Sequence, residues 1–403
     1  MIRAEDITKL FGRDPAAALP LLEAGKGKQA IQAETRKILG VSRVSFDLRP
    51  GEIFVIMGLS GSGKSTLIRC INRLIEPTAG RLFFQDPSQG EVEITGLSPE
   101  RLRMLRKHHM SMVFQHFALF PHLSVLANAT YGLEVQGVAR DERQRRGQEM
   151  LELVGLGDWA SASPAELSGG MQQRVGLARA LATEAEVLLM DEPFSALDPL
   201  IKVNMQQELM RIQARLSRTI LFITHDLDEA MRIGDRIAIM EDGAFVQVGT
   251  PEEILVNPRT EYVARFVEHA DPTGVITAGT IARPLAGHRR VDGYPGLEIE
   301  LDEQGRLRGA RHEGRALRTG FLDSLVDEPP PATRHADRLL QCDTHTSLRH
   351  VLRGRLHSTL PVLVLDDQGR VGGLIDEPLL ITAILDKRGP DAASPATREV
   401  IHE

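Results

Sequence analysis

Residues 58–65 decide the fold of this chain, and they read Gly58-Leu59-Ser60-Gly61-Ser62-Gly63-Lys64-Ser65. A continuous apolar run, Ile53–Met57, precedes them and predicts a parallel strand that is buried on both faces. After them, apolar residues recur at helical spacing until Pro77 and Gly80 interrupt the pattern. Strand, glycine-rich loop and helix in this order are typical of a phosphate-binding loop. The stretch therefore predicts an α/β fold with a nucleotide bound at the loop.

The amides and side chains of this loop suit a polyphosphate. Glycine lets the backbone come close, and the next helix points its positive end at the anion. We therefore expect the amides of residues 61–66 and the Lys64 ammonium to surround the β- and γ-phosphates. The Ser65 hydroxyl is a predicted magnesium ligand. The predicted nucleotide-binding residues here are Gly58, Ser60, Gly61, Ser62, Gly63, Lys64, Ser65 and Thr66.

A second apolar run, residues 187–190, ends in the acidic pair Asp191 and Glu192. The end of a buried strand places Asp191 at the same sheet edge as the phosphates, where its carboxylate is predicted to hold magnesium through water. Glu192 is the predicted residue that positions or deprotonates the attacking water. An acidic pair alone is more often a solvated turn. The apolar strand before it and Pro193 after it favour the catalytic interpretation.

Residues 167–173 read Leu-Ser-Gly-Gly-Met-Gln-Gln and stand between these two motifs. Ser168, Gly169 and Gly170 open a predicted helix, so a hydroxyl and bare amides lie at its positive end. In isolation such a run is an N-cap with flexible glycines. The order of the three motifs resembles the ATP-binding cassette (ABC) family, the ATPase subunits that drive membrane transporters. In that family this serine and these glycines contact the γ-phosphate held by a second copy in a head-to-tail dimer.

Four further residues match the family's motifs in order. The resemblance implies that Gln115 touches magnesium and water, that Asp198 in residues 195–198 (Ser-Ala-Leu-Asp) crosses the dimer interface, and that His225 reaches the γ-phosphate. A lone histidine at a strand end is more often structural, and the other motifs favour the functional interpretation. Phe11 lies where the family places an aromatic ring that stacks on adenine. A core aromatic at a strand end is the competing interpretation.

The resemblance is narrower within the family. Residues 1 to about 270 resemble an importer-type cassette, most similar to the subfamily that takes up glycine betaine, proline and related quaternary amines. That match depends on three features: an insertion after Phe11, the amino-acid sequences of residues 54–60 and 226–235, and a tandem module at the C-terminus. In such importers the segment equivalent to residues 117–123 receives a short helix of the membrane subunit. An ordinary subdomain core is the alternative for this apolar segment.

The chain is predicted to contain two domains. Residues 1–270 are expected to form an α/β nucleotide-binding domain, with a helical subdomain at about 98–170. Further strands are predicted at Thr219–Thr224, 237–240 and 244–248, the last two joined by a turn at residues 241–243. Residues 13–40 are interpreted as a surface insertion with short helices, based on Leu19, Leu22, Ile31, Ile38 and Leu39.

Residues 271–403 are expected to form an α+β domain with an internal repeat. Residues 301–309 match residues 365–373, and each copy reads as a strand, a polar glycine turn and a strand. Two unrelated hairpins are one interpretation. A degenerate tandem of cystathionine-β-synthase-like (CBS) modules is the other. The family's ribose-binding Ser/Thr-x-x-Asp pattern is missing, since the second copy reads Asp376-Glu377-Pro378-Leu379.

Composition narrows the class of protein. The chain has 403 residues, 42% of them hydrophobic, and a net charge of −7 without a like-charge block suited to nucleic acid. We see neither a secretory signal nor the roughly 18 apolar residues of a membrane-spanning helix, so another chain would hold this one at a membrane. Cys70 and Cys342 lack metal-ligand spacing and are expected to be reduced thiols.

The sequence therefore predicts an ATP hydrolase that uses ATP and Mg²⁺ and powers an ABC importer of glycine betaine, proline or a related quaternary amine. The expected partners are integral-membrane permease subunits, a substrate-binding protein and a second copy of the chain, with no nucleic acid. The expected location is peripheral, on the cytoplasmic face of the plasma membrane. The alternatives are an importer ATPase for choline or carnitine and a soluble cassette ATPase without a transport role.

Overall fold

A computed structural model describes residues 1–86, 88–115, 118–195, 197–285, 291, 293–325, 329, 331 and 333–386. The chain divides into two compact units. The first contains residues 1–254 with 259–266, and the second contains residues 255–258 with the described residues from 267 onward. Each unit has a hydrophobic core of its own.

The described strands and helices follow in chain order. The strands are β1 (Ile2–Phe11), β2 (Ile38–Leu48), β3 (Ile53–Met57), β4 (Ala79–Asp86), β5 (Gly90–Glu93), β6 (Met110–Val113), β7 (Val187–Asp191), β8 (Thr219–Thr224), β9 (Arg236–Glu241), β10 (Ala244–Gly249), β11 (Arg283–Pro284), β12 (Leu297–Leu301), β13 (Leu307–His312), β14 (Arg315–Ala316), β15 (Arg318–Phe321), β16 (Arg338–Asp343), β17 (Val362–Leu365) and β18 (Val371–Ile375). The helices are α1 (Leu19–Glu23), α2 (Lys28–Thr35), α3 (Lys64–Ile71), α4 (Pro99–His108), α5 (Val125–Gln136), α6 (Arg140–Leu153), α7 (Gly169–Ala182), α8 (Pro199–Leu216), α9 (Leu227–Ile233), α10 (Pro251–Val256), α11 (Glu261–Val267), α12 (Ala278–Ile281), α13 (Leu348–Arg355) and α14 (Glu377–Asp386).

The first unit is built on a six-stranded sheet of order β10-β9-β3-β8-β7-β6. Every residue of β3, β7 and β8 is buried, as expected for apolar runs in a parallel sheet covered on both faces. Strand β3 lies between β8 and β9 and is parallel to both. The predicted turn joins β9 to β10, and Asp242 and Gly243 both have positive φ, 46° and 91°. The predicted strand and loop order of this unit is confirmed.

A four-stranded antiparallel sheet, β2-β1-β4-β5, shares the main core with that sheet. Its apolar side chains alternate with exposed ones along β2, which is typical of a sheet with one face in the core. The rings of Phe46 on β2 and Phe54 on β3 stack with their centroids 5.2 Å apart. The two sheets therefore hold β1 and β3, the two strands that lead into the predicted adenine and phosphate sites, in fixed positions.

The region predicted as a helical subdomain contains one strand of the main sheet. Helices α5, α6 and α7 pack on one another, whereas β6 pairs in parallel with β7. On α6, the carboxylate of Glu142 accepts hydrogen bonds from Arg145 and Arg146. These bonds lower the pKa of Glu142 to about 2.

The insertion after Phe11 is short-helical, as predicted, and it is packed on the sheet. A 3₁₀ turn at Pro15–Ala18 leads into α1 and α2, and their apolar residues join the ends of β1 and β2 in a small cluster. That cluster contains Leu10, Ala18, Leu22, Ile31 and Leu39. The prediction that Ile38 and Leu39 are helical is wrong, because Arg36 ends α2 in the left-handed conformation (φ 57°) and β2 begins at Ile38.

The second unit contains a five-stranded sheet, β11-β18-β17-β16-β15, and a three-stranded sheet, β12-β13-β14. Both repeat copies are strand–turn–strand hairpins, as predicted, but they belong to different sheets. Asp302 accepts hydrogen bonds at 2.9 Å from the amides of Gln304 and Arg306. The same pattern recurs in the second copy, where Asp366 accepts from Gln368 and Arg370 at 2.9 Å.

Candidate nucleotide-binding site

A cavity of about 580 Å³ lies at the carboxyl end of β3. Four parts of the chain line it: the phosphate-binding loop, the first residue of α2, the adjoining ends of β1 and β2, and the residues that follow β6, β7 and β8. The predicted site residues that line it are Phe11, Ser60, Gly61, Gly63, Lys64, Ser65, Thr66, Gln115, Glu192 and His225. Lys28, Ile38, Leu39, Gly40 and Leu59 complete the lining. The structure therefore brings most of the predicted nucleotide site together in one chain.

Two loop positions require glycine. A Cβ atom on Gly58 (φ 155°) would lie 2.2 Å from the Met240 carbonyl oxygen, and one on Gly63 (φ 107°) would lie 2.1 Å from the Gly40 carbonyl oxygen. The loop therefore packs closely against β9 and β2, and Gly61 and residues 63–66 face the cavity. Ser62, also a predicted ligand, is buried behind this face.

Lys64 is buried at the base of the loop, with 4% of its surface exposed. Its ammonium donates hydrogen bonds to the carbonyl oxygens of Gly58 (2.8 Å) and Leu59 (3.0 Å). Burial lowers the pKa of this amine, and the carboxylates of Glu192 and Asp191 act in the opposite direction. The site therefore holds its buried cation next to two anionic groups.

Asp191 ends β7 and is fully buried beside the loop. The Ser65 hydroxyl donates to Asp191 Oδ1 at 2.8 Å, and Arg69 on α3 donates to Oδ2 at 3.2 Å. A hydroxyl and a carboxylate are hard oxygen donors, the type that Mg²⁺ prefers, so this pair fits the metal. Arg69 was not predicted from the sequence, because its partner is 122 residues away.

Glu192 is held by two predicted residues. Gln115 Nε2 donates to Glu192 Oε2 at 3.1 Å, and His225 Nδ1 lies 3.2 Å from the same oxygen. The backbone of Glu192 has φ 47°, a rare conformation for a residue with a side chain, and its amide donates to the Ile223 carbonyl at 3.1 Å. Residues with a strained backbone conformation cluster at active sites, where neighbouring residues hold them and so orient a functional side chain.

Phe11 lies at the end of β1 and is half-buried, with its ring in the cavity wall. A Cβ atom on Gly40 would lie 2.7 Å from the Phe11 ring, so only glycine lets β2 come this close to it. The Lys9 ammonium stands 5.2 Å from the ring centroid. The geometry gives a flat, partly exposed aromatic face in the wall of the cavity.

Ser168, Gly169, Gly170 and Asp198 are not among the described residues that line this cavity. Ser168 caps α7, and its hydroxyl accepts a hydrogen bond from the Met171 amide at 3.3 Å. Ser168, Gly169 and Asp198 are exposed. Ala196, in the predicted interface loop, lies outside the described residues. Their role in a second copy's site stays a prediction.

The predicted membrane-subunit surface is described only in part, because Phe117 lies outside the described residues. Phe120 packs on Tyr131 of α5, and the centroids of the two rings are 4.5 Å apart. The side-chain Nδ2 of Asn128 donates a hydrogen bond to the Phe120 carbonyl oxygen at 3.0 Å. Tyr131 is nevertheless 38% exposed. This segment therefore combines packing on α5 with an apolar surface open to solvent.

The cavity also contains a residue that the sequence did not predict. Lys28, the first residue of α2, lines the wall, and its Nζ donates to the Gly61 carbonyl at 3.1 Å. The two residues are 33 positions apart. No spacing within the insertion indicates this contact, because it exists only once α2 is packed on the sheet.

Cys70 and Cys342 are buried free thiols. Burial raises the pKa of each to about 12. Neither thiol is therefore ionised near neutral pH.

Among the described residues, none of the helices combines the length and the apolar character needed to cross a bilayer.

Comparison with known proteins supports one family. Residues 41–195 match the family model described as ABC transporter. The glycine betaine transport ATP-binding protein OpuAA of Bacillus subtilis is 44% identical over 395 residues, 95% of this chain and 92% of that protein. The glycine betaine/proline betaine transport system ATP-binding protein ProV of Salmonella typhimurium is also 44% identical, over 96% of this chain and 98% of its own length.

Among solved structures, the dimeric post-hydrolysis state of the ATP-binding cassette MJ0796 bound to ADP and Pi matches 62% of this chain and 99% of its own. The TM-score is 0.53 and the identity is 29%. The relatives that match most of the chain and the solved cassette structure point to the same family. The chain therefore belongs to the ABC transporter ATPases, in the group of glycine betaine and proline betaine transport ATP-binding proteins.

Proposed function

We propose that this chain is the ATPase subunit of an importer for glycine betaine, proline betaine or a related quaternary amine. The cargo is inferred from the names of the relatives that match nearly the whole chain. The observation that carries the enzymatic part is the Glu192 carboxylate, held by Gln115 and His225 at the edge of a cavity lined by the phosphate-binding loop.

The geometry of the cavity supports the following roles for the site residues. The amides of residues 61–66 and the Lys64 ammonium hold the β- and γ-phosphates. Ser65 and Asp191 would hold Mg²⁺, and the side-chain oxygen of Gln115 would be a further ligand. The metal, when bound, neutralises charge on the phosphates and stabilises the transition state. Phe11 offers its ring to adenine.

Hydrolysis is assigned to Glu192. Its carboxylate orients a water molecule and accepts a proton from it as the water oxygen attacks the γ-phosphorus and the bond to the bridging oxygen of ADP breaks. Gln115 and His225 contact the carboxylate directly, so they orient it before ATP binds. His225 also lines the cavity, where its ring would contact the γ-phosphate.

The working unit is a head-to-tail dimer of the chain. Ser168, Gly169, Gly170 and Asp198 are outside the chain's own cavity wall, which fits a contact with the nucleotide of a second copy. The exposed cap of α7 offers a hydroxyl and free glycine amides to an anion. The MJ0796 cassette, which was solved as a dimer, is consistent with this arrangement.

Permease subunits and a substrate-binding protein are the proposed partners, with the chain on the cytoplasmic face of the membrane. The apolar segment around Phe120 and the exposed face of Tyr131 form the proposed permease contact. The contact would cover an apolar patch that is otherwise open to water.

The second unit is proposed to regulate transport as a degenerate CBS-like pair. The order β16, α13, β17, β18, α14 and the matching turns at Asp302 and Asp366 support this assignment. Asp376 caps α14 through the Leu379 amide at 3.0 Å and pairs with Arg283 at 3.3 Å, so its carboxylate is already used. Deleting residues 272–403 should leave ATP hydrolysis intact and remove the response of transport to ionic strength.

Transport is tested by reconstituting the chain with its permease and binding protein in vesicles. ATP-dependent accumulation of labelled glycine betaine is expected, and it should stop when Glu192→Gln replaces the wild-type chain. Competition by unlabelled choline, carnitine and proline ranks the possible cargoes. ATP hydrolysis without any association with the permease would instead indicate a cassette ATPase with no transport role.

A further inference from the structure

The insertion forms part of the wall of the ATP cavity. Ile31 on α2 is fully buried in the cluster that joins the insertion to Leu10 and Leu39, at the ends of β1 and β2. Lys28 precedes Ile31 by three residues, so both side chains lie on the same face of the helix. The buried isoleucine therefore fixes the helix with Lys28 at the cavity.

Lys28 and Lys64 make the same kind of contact. Each ammonium donates to backbone carbonyls of the phosphate-binding loop, Lys28 to Gly61 and Lys64 to Gly58 and Leu59. Because a phosphate oxygen carries formal charge, it is a stronger acceptor for an ammonium than a carbonyl oxygen is. The long stem of a lysine lets its amine move between such acceptors without any change in the backbone.

We propose that Lys28 is a second phosphate-binding lysine, supplied by the insertion, which contacts the polyphosphate of the bound nucleotide. The inference rests on the ATP site proposed above. It adds to that site the Lys28 ammonium, which comes from α2 and contacts the phosphate-binding loop at the Gly61 carbonyl. Glu192 and His225 are the other titratable groups of the described lining besides the two lysines. A second cation would offset the repulsion between a polyphosphate and the Glu192 carboxylate.

The full-length chain is tested with Lys28→Gln, whose side chain lacks the charge but keeps an amide donor for the Gly61 carbonyl. Affinities for ATP, ADP and adenosine are measured by competition against a fluorescent ATP analogue. The matched control is Lys26→Gln, which removes the same charge from the same insertion. Lys26 pairs with Glu34 at 2.5 Å and is not part of the described cavity lining. Lys28→Arg tests rescue by a retained positive charge.

The expected result is a loss of ATP affinity of about tenfold in Lys28→Gln, the size of one charge-assisted hydrogen bond. Adenosine affinity should stay unchanged, Lys26→Gln should change ATP affinity less than about twofold, and Lys28→Arg should restore most of it. Unchanged ATP affinity in Lys28→Gln would overturn the proposal. An equal loss for ATP and adenosine would also overturn it, because Lys28 would then only hold the wall in place.

The outcome separates this inference from the proposed ATPase function. If the wild-type chain and Lys26→Gln bind ATP while Lys28→Gln binds it equally well, only the role of Lys28 is refuted. If the wild-type chain does not bind ATP, both proposals fail. Thermal unfolding of each variant identifies any loss of affinity that comes from misfolding, and Lys28→Arg then supplies the decisive comparison with the wild type.

Discussion

Replacing Glu192 by glutamine should stop hydrolysis and leave the architecture of the site intact. The carboxamide oxygen of glutamine can accept the same two contacts that Oε2 receives, from Gln115 at 3.1 Å and His225 at 3.2 Å. The backbone strain at φ 47° is the same for either residue. The substitution therefore removes one negative charge and one proton acceptor, and little else.

The size of the effect follows from the lost proton acceptor. General-base catalysis contributes about 10²- to 10⁴-fold, which corresponds to about 3 to 5 kcal/mol of activation free energy. We expect kcat to fall by that factor while ATP affinity is retained, since Lys64 and the loop amides are untouched. ATP should then accumulate in a closed dimer, because the step that reopens it is blocked.

Phosphate release and size-exclusion chromatography measure the two effects. Glu208→Gln is the matched control, since it removes the same charge from an exposed pair with Arg211 on α8. An exposed pair contributes about 0 to 1 kcal/mol to stability, so this control should turn over ATP like the wild type. Wild-type turnover in Glu192→Gln would refute the catalytic role. Loss of ATP binding in that variant would refute the claim that only the chemical step is affected.

Three further substitutions test the site and its support. Gly63→Ala should abolish ATP binding and lower the thermal unfolding temperature, because φ 107° costs about 1 to 3 kcal/mol and the new Cβ would lie 2.1 Å from the Gly40 oxygen. Ile31→Ala should cost about 2 to 4 kcal/mol of unfolding free energy in urea, because its side chain is fully buried. Glu142→Gln should destabilise the chain near neutral pH. Because the folded pKa of Glu142 is about 2 against an ordinary 4.5, that difference should shrink in urea titrations as pH falls from 4.5 towards 2.

Two of these variants have close controls. Gly90→Ala places a side chain at a similar positive φ, 80°, with nothing within 4 Å of the new Cβ, so it isolates backbone strain from the clash at Gly63. Ile38→Ala removes the same atoms as Ile31→Ala from a residue that is 51% exposed, so its cost should be small. Equal destabilisation within either pair would contradict the packing argument. A pH-independent effect of Glu142→Gln would contradict the ion-pair argument.

The features predicted correctly from the sequence are those encoded by short segments. The loop between β3 and α3 follows from an apolar run and its glycines, and Asp191 follows from the end of another apolar run. Glu192 comes directly after β7, His225 comes directly after β8, and Gln115 follows the end of β6 by two residues. Neighbouring parallel strands end at one sheet edge. Glu192 was predicted from its strand end, whereas Gln115 and His225 were predicted from the family resemblance. The sheet topology brings all three together because it places the ends of their strands side by side.

The features missed are contacts between distant segments. Arg69 meets Asp191 and Lys28 meets Gly61 only after the sheet and the insertion have packed. Ile38 and Leu39 continue the apolar spacing of α2, but α2 ends at Arg36, which has a left-handed backbone conformation. The spacing of apolar residues does not predict where such a conformation ends a helix. The two repeat hairpins have the same turn and different sheet partners, since a turn is set locally and strand pairing is not.

The small cluster under the insertion has a dynamic consequence. Leu10, Ala18, Leu22, Ile31 and Leu39 are separate from the large core between the two sheets. A separate cluster of this size can open without unfolding the domain, so α2 should exchange its amide hydrogens faster than β3 does. Because Lys28 of α2 lines the nucleotide cavity, we expect each opening to expose a bound nucleotide to solvent. The residence time of a nucleotide in a single chain should therefore depend on the stability of one short helix more than on that of the whole domain.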